Sequence, residues 1–223
     1  MEQTADVQKK KSRIGGWAGI DYKIVKKRPY FYISAVIVLL TGFILQGISG
    51  VYAAHMKDIG LDAGYIATVL SIGSLMLTVS KVVVGLLYDR FGHRIVLILC
   101  QGSTVVAFLA MVFLDISSSG RLLALVFAVF YALALPLETL VIPLIVNEMF
   151  GNASYDKILG IFCAMNYTGY ALGAPIVNLS YDLLGSYKPI LLAFAILMIP
   201  VCIIFQFGIN AAKKEKKEKE NNV

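Results

Sequence analysis

The sequence predicts an all-α integral membrane protein of six transmembrane helices, arranged as a 3+3 inverted repeat. Three observations carry this reading. The 223 residues are 58% hydrophobic and only 15% charged, with a mean hydropathy of +0.77, whereas a soluble domain carries about 25% charged residues. The charges collect at the ends and in short gaps, leaving apolar blocks that match the ~20 residues a helix needs to cross ~30 Å of hydrocarbon. The chain also matches itself at a shift of 93 residues.

Taken in order, residues 1–29 are a polar, basic segment with no apolar core or small-residue cleavage site near its start, so no signal peptide is expected. The predicted spans are 30–54, 64–88, 95–114, 121–147, 157–181 and 189–210, followed by a charged tail, 211–223, read as a solvated charge run. Every connection between spans is short, leaving no room for a soluble domain, so function must reside among the helices. No G-x-x-x-x-G-K-[ST] loop occurs, which excludes ATP hydrolysis by that route. Cys100, Cys163 and Cys202 each fall inside an apolar block without metal-type spacing and read as small hydrophobes. His55 and His93 fall on opposite sides of the membrane and cannot share a metal. No metal, cofactor or catalytic cluster is expected.

Orientation follows from the distribution of Lys and Arg. With the N-terminus inside, 16 lie on the cytoplasmic side, three (Lys57, Arg121, Lys188) lie opposite, and Lys81 lies within a span. Both termini are therefore expected in the cytoplasm, in a multi-pass protein of the plasma membrane. The net charge of +6 sits on flanks of spans, as expected beside an anionic leaflet, and does not indicate nucleic acid. Asn152 and Asn178 begin glycosylation-type tripeptides, but one is cytoplasmic and the other intramembrane in this topology.

The 93-residue shift lays Tyr88-Asp89-Arg90-Phe91-Gly92 on Tyr181-Asp182-Leu183-Leu184-Gly185 and carries spans one to three onto four to six. Because three is odd, the two units lie in opposite orientations. Inverted three-span repeats characterise secondary transporters, with the solute site near the midplane where the repeats meet.

Between spans two and three runs Gly85-Leu86-Leu87-Tyr88-Asp89-Arg90-Phe91-Gly92-His93-Arg94. Gly85 would let another helix approach closely, and Gly92 would supply the free φ of a tight turn. Asp89 meets the negative end of the helix dipole, and Arg90 and Arg94 are the local candidates to compensate it. An ordinary helix hairpin with positive-inside charges is the plain alternative. The segment resembles the G-x-x-x-D-[RK]-x-G-[RK]-[RK] loop signature of the major facilitator superfamily, with His93 standing where a cation is usual. Gly173-Ala174-Pro175 with Tyr181 to Tyr187 is similar to the end of the fifth helix of that family's second half. The resemblance implies a twelve-span fold of which this chain is the carboxy-terminal six-helix half, with residues 1–29 as the preceding linker and 85–94 as a cytoplasmic gate.

A lysine near a helix centre costs roughly 2.5–3.5 kcal/mol on insertion scales and normally faces a cavity or partner. Lys81 lies about 10 Å inside the boundary at 1.5 Å per residue. Snorkelling is one reading; the shared face of Lys81, Gly85 and Asp89 favours an inward one. This K-x-x-x-G-x-x-x-D spacing also resembles the oxalate/formate antiporter and monocarboxylate transporter branch, where a cation at this place implies a carboxylate solute. Glu138 lies at a similar depth in span four. It is expected to pair with Lys81, either statically or in competition with solute or a proton, with Pro136 and Pro143 loosening the helix around it. In span five, Asn166 and Tyr170 lie one turn apart among glycines that suit tight packing. Gln46 and Tyr131 are weaker polar candidates of the same kind.

These features point to half of a secondary transporter moving a small solute, a carboxylate on the branch resemblance, by alternating access. It would work in the bilayer with a second six-helix half or as a homodimer. The rivals are an inactive truncated half, a non-transporting scaffold or sensor subunit, and a membrane enzyme, for which no His, Asp or Glu cluster is visible at either face.

Overall fold

The computed structural model describes residues 19–221, with side chains to residue 216; most of the basic N-terminal segment and the end of the tail lie outside the described residues. The described residues are helical, with no strand. We label α1 Tyr22–Val25, α2 Pro29–Gly47, α3 Tyr52–Asp58, α4 Ala63–Phe91, α5 His93–Val112, α6 Ser118–Ala134, α7 Ile142–Phe150, α8 Tyr155–Leu184 and α9 Lys188–Asn221, with a π-helical turn, Leu137–Val141, between α6 and α7.

Five stretches are long and apolar enough to cross a membrane: Pro29–Asp58, Ala63–Phe91, His93–Val112, Ser118–Phe150 and Lys188–Lys216. The fifth predicted span lies in α8. Its 30 residues suffice in length, but Asn166, Tyr167, Tyr170, Asn178 and its glycines make it less apolar than the other five.

Two spans expected to be continuous are interrupted. The first breaks after Gly47, where Ile48 caps α2 and Ser49 Oγ donates to the Gln46 carbonyl oxygen at 2.8 Å, and the chain restarts as α3. The fourth widens into the π turn between Pro136 and Pro143. Proline lacks the N–H for an i→i−4 bond and its ring crowds the carbonyl one turn back, so the Ile142 N–H bonds Leu137 instead. Such turns occur often at functional sites, and this one carries Glu138.

Helix ends follow local sequence. Asp62 caps α4 by accepting from the N–H groups of Gly64 and Tyr65. Gly92 turns the chain from α4 into α5 at φ 75°, its N–H donating to the Tyr88 carbonyl at 2.8 Å. At the position 93 residues on, Gly185 ends α8 at φ 66° with its N–H on the Tyr181 carbonyl at 2.7 Å.

The most extensive packing is α2 against α8, followed by α5 against α6 and α9, and α4 against α6. α2 and α8 cross on glycine. A Cβ at Gly169 would stand 2.0 Å from the Leu39 carbonyl oxygen, and one at Gly173 would stand 2.7 Å from Gly47 Cα. The packing reading of the fifth span's glycines is thus realised at Gly169 and Gly173. The close approach expected at Gly85 is not, since a Cβ there would meet only Leu140 Cδ2 at 3.8 Å.

The tail departs from a solvated run. α9 continues to Asn221, Lys213 reaches Glu148 at 2.5 Å, and Glu215 accepts from Arg28 at 2.8 Å and from the Tyr30 hydroxyl at 3.0 Å.

Candidate functional site

The π turn directs Glu138 towards α2 and α8. Gln46 Nε2 donates to one carboxylate oxygen at 2.5 Å, and Asn166 Nδ2 donates to the other at 3.2 Å. Asn166 Nδ2 also lies 3.4 Å from the Val38 carbonyl oxygen. This contact is possible because Gly42 and Gly169 bring the two backbones together: a Cβ at Gly42 would fall 2.3 Å from the Asn166 carbonyl oxygen. The glycine crossing therefore sets the polar site as well as the packing.

A cavity of about 390 Å³ opens beside the carboxylate, with Gln46, Glu138, Cys163, Asn166, Tyr167 and Tyr170 on its wall. Four of the candidates chosen from sequence, Gln46, Glu138, Asn166 and Tyr170, meet here. Cys163 and Tyr167 were missed, although Cys163, Asn166, Tyr167 and Tyr170 follow the i, i+3, i+4, i+7 spacing of one helix face.

Tyr131 is elsewhere. Its hydroxyl donates to the Leu45 carbonyl at 2.7 Å and its ring stacks on Phe127, tying α6 to α2. It lines a smaller recess of about 140 Å³ between α4 and α6, with Tyr52, Gly73 and Ser74.

Lys81 does not pair with Glu138. Among the described residues it makes no hydrogen bond or ion pair, and its side chain is exposed on α4. Equal depth fixed only one of the coordinates a pair needs. Glu138 is turned towards α2 and α8, whereas α4 packs on the α6 side. Lys81 instead ends a polar stripe: Thr68, Ser71, Ser74, Thr78 and Lys81 recur at helical spacing, and all are exposed. The four hydroxyls donate to carbonyls one turn back.

At the loop signature, Gly92 turns the chain as expected, but neither Arg90 nor Arg94 pairs with Asp89, which is exposed. Arg90 lies instead over the Phe91 ring, 5.3 Å from its centroid. The charge cluster at this end centres on Glu148 of α7. It accepts from Tyr88 of α4 at 2.7 Å and meets Lys213 of α9 at 2.5 Å and His93 of α5 at 3.3 Å. Gln206 Nε2 donates to the Arg94 carbonyl at 3.0 Å. His93, the departure from the signature, thus has a partner four helices share.

Long apolar helices, with an open cavity beside a carboxylate held between α2, the π turn and α8, define a multi-pass membrane protein. The Major Facilitator Superfamily profile matches residues 21–222, and the chain belongs to that family, whose members are transporters and not enzymes. A comparison with curated proteins gives no match.

Proposed function

We propose that the chain is a six-helix half of a major facilitator transporter, the carboxy-terminal one, that moves a small solute by alternating access with the Glu138 cavity as its solute and coupling site. The observation that carries the proposal is the convergence of α2, the π turn and α8 on one carboxylate beside an open cavity. A moving element needs a helix that can yield, and the π turn between two prolines supplies one. α8 serves as the fifth of the six spans: Asn166 turns to α2, and Asn166, Tyr167 and Tyr170 turn to the cavity. The 3+3 repeat is supported by Gly92 and Gly185, which close corresponding helices with the same N–H to Tyr carbonyl bond.

The stripe from Thr68 to Lys81 supports a second bundle. A charged side chain exposed at membrane depth does not suit lipid, so this face of α4 looks into a water-filled cleft completed by another half, separately encoded or a second copy. Both termini lie in the cytoplasm of a plasma-membrane protein, with the Glu148 cluster locking the cytoplasmic end. A carboxylate solute is not carried into this proposal, because Lys81, the residue that implied it, lies outside the cavity.

Cys163 makes the proposal testable. With Cys100 and Cys202 replaced by serine, a membrane-impermeant maleimide applied to oriented vesicles from either side should label Cys163. Labelling from one side alone would leave the scaffold or sensor reading and remove alternating access.

A further inference from the structure

We propose that the Glu138 recess binds the positively charged group of an organic cation, with the carboxylate as its counter-charge and the rings of Tyr167 and Tyr170 as its walls. This rests on the cavity being the solute site.

The lining is one-sided in charge. It holds one carboxylate and no Lys, Arg or His among its described residues. A carboxylate has about four lone-pair sites, of which the amides of Gln46 and Asn166 occupy two. Those amides orient the group without neutralising it. A half-buried charge with hydrogen bonds but no counter-charge remains costly, so the recess gains by taking up a cation or a proton.

The remaining lining agrees in chemistry. Tyr167 is 68% exposed and Tyr170 44%, one turn apart on α8 beside the carboxylate. Exposed aromatic faces attract cations, and quaternary ammonium groups are recognised in this way. Of the other hydrogen-bonding atoms available, the carbonyl oxygen of Gln46 only accepts, and the hydroxyls of Thr139, Tyr167 and Tyr170 accept as well as donate, so the preference for a cation comes from the charge and the ring faces. An anion entering the same recess would meet the Glu138 charge with no cation to offset it, at distances where like charges repel strongly outside bulk water.

The test uses three probes of similar size and different charge: phenyltrimethylammonium, benzyl alcohol and phenylacetate. Occupancy is read at pH 7 as protection of Cys163 from maleimide in the full chain carrying serine at positions 100 and 202. Phenyltrimethylammonium should protect at concentrations at least tenfold lower than phenylacetate, and Glu138→Gln should reduce its advantage over benzyl alcohol to less than threefold. Phenylacetate protecting as well as the cation would overturn the assignment and leave the cavity as a solute site. Protection by none of the three would overturn the site itself. If Glu138→Gln does not fold, the ranking of the three probes on the unsubstituted Glu138 protein decides alone.

Discussion

Alanine at Gly169 should separate the two helices that build the site, and alanine at Gly160, about two and a half turns earlier on α8, should not. A Cβ at Gly169 would lie 2.0 Å from the Leu39 carbonyl oxygen and 2.8 Å from the Phe43 nitrogen, whereas ordinary contact begins at 3.4 Å, so the backbones must part by about 1.4 Å. Overpacking of this kind costs ~1–3 kcal/mol. The same movement takes the Asn166 bonds to Glu138 and Val38, now 3.2 and 3.4 Å, beyond hydrogen-bonding distance, at about 1 kcal/mol each. The better helix propensity of alanine returns about 1 kcal/mol. The net is roughly 2–4 kcal/mol, or about 4–16 °C in Tm at the ~2–4 °C per kcal/mol expected for a chain of this size. At Gly160 nothing lies within 4 Å of the added carbon, so only the propensity gain remains. Thermal unfolding in detergent, followed by circular dichroism, reads both variants. An unchanged or raised Tm for Gly169→Ala would refute the glycine-crossing argument, as would equal damage from Gly160→Ala.

Glu138→Gln should flatten the pH dependence of phenyltrimethylammonium binding. Of the side-chain types on the cavity wall, only a carboxylate normally titrates between about pH 4 and 8. Protonation removes the counter-charge, so the Kd of the native protein should rise as pH falls while that of the variant stays high throughout; parallel curves would exclude Glu138. On α4, Thr78→Cys and Lys81→Cys should react with a water-soluble maleimide in membranes and Val83→Cys, on the opposite face, should not; the reverse pattern would place the stripe against lipid. Tyr131→Phe should lower stability by about 1 kcal/mol through loss of the bond to the Leu45 carbonyl while leaving Cys163 protection intact, and a loss of protection would draw Tyr131 back into the site. Lys213→Ala should destabilise the protein by no more than about 1 kcal/mol, because the pair with Glu148 is partly exposed, and by less at high salt; a salt-independent loss would mean that the cluster acts by packing.

What the sequence determined by itself was whatever depends on position along the chain. Apolar block length marked the helices, glycine at 92 marked a turn, two prolines marked a weak point in the fourth span, and the i, i+4 spacing of Asn166 and Tyr170 put them on one face. Direction around a helix axis was legible only within one helix, since 3.6 residues per turn relate neighbours on the same element and say nothing of how two elements are rotated against each other. That is why Lys81 and Glu138, matched in depth, proved to be turned apart, and why Gln46 and Asn166 took the place of the lysine. Only the tertiary structure decided these contacts. The glycine faces of α2 and α8 set how closely those helices approach, and that distance determines which side chains reach the carboxylate.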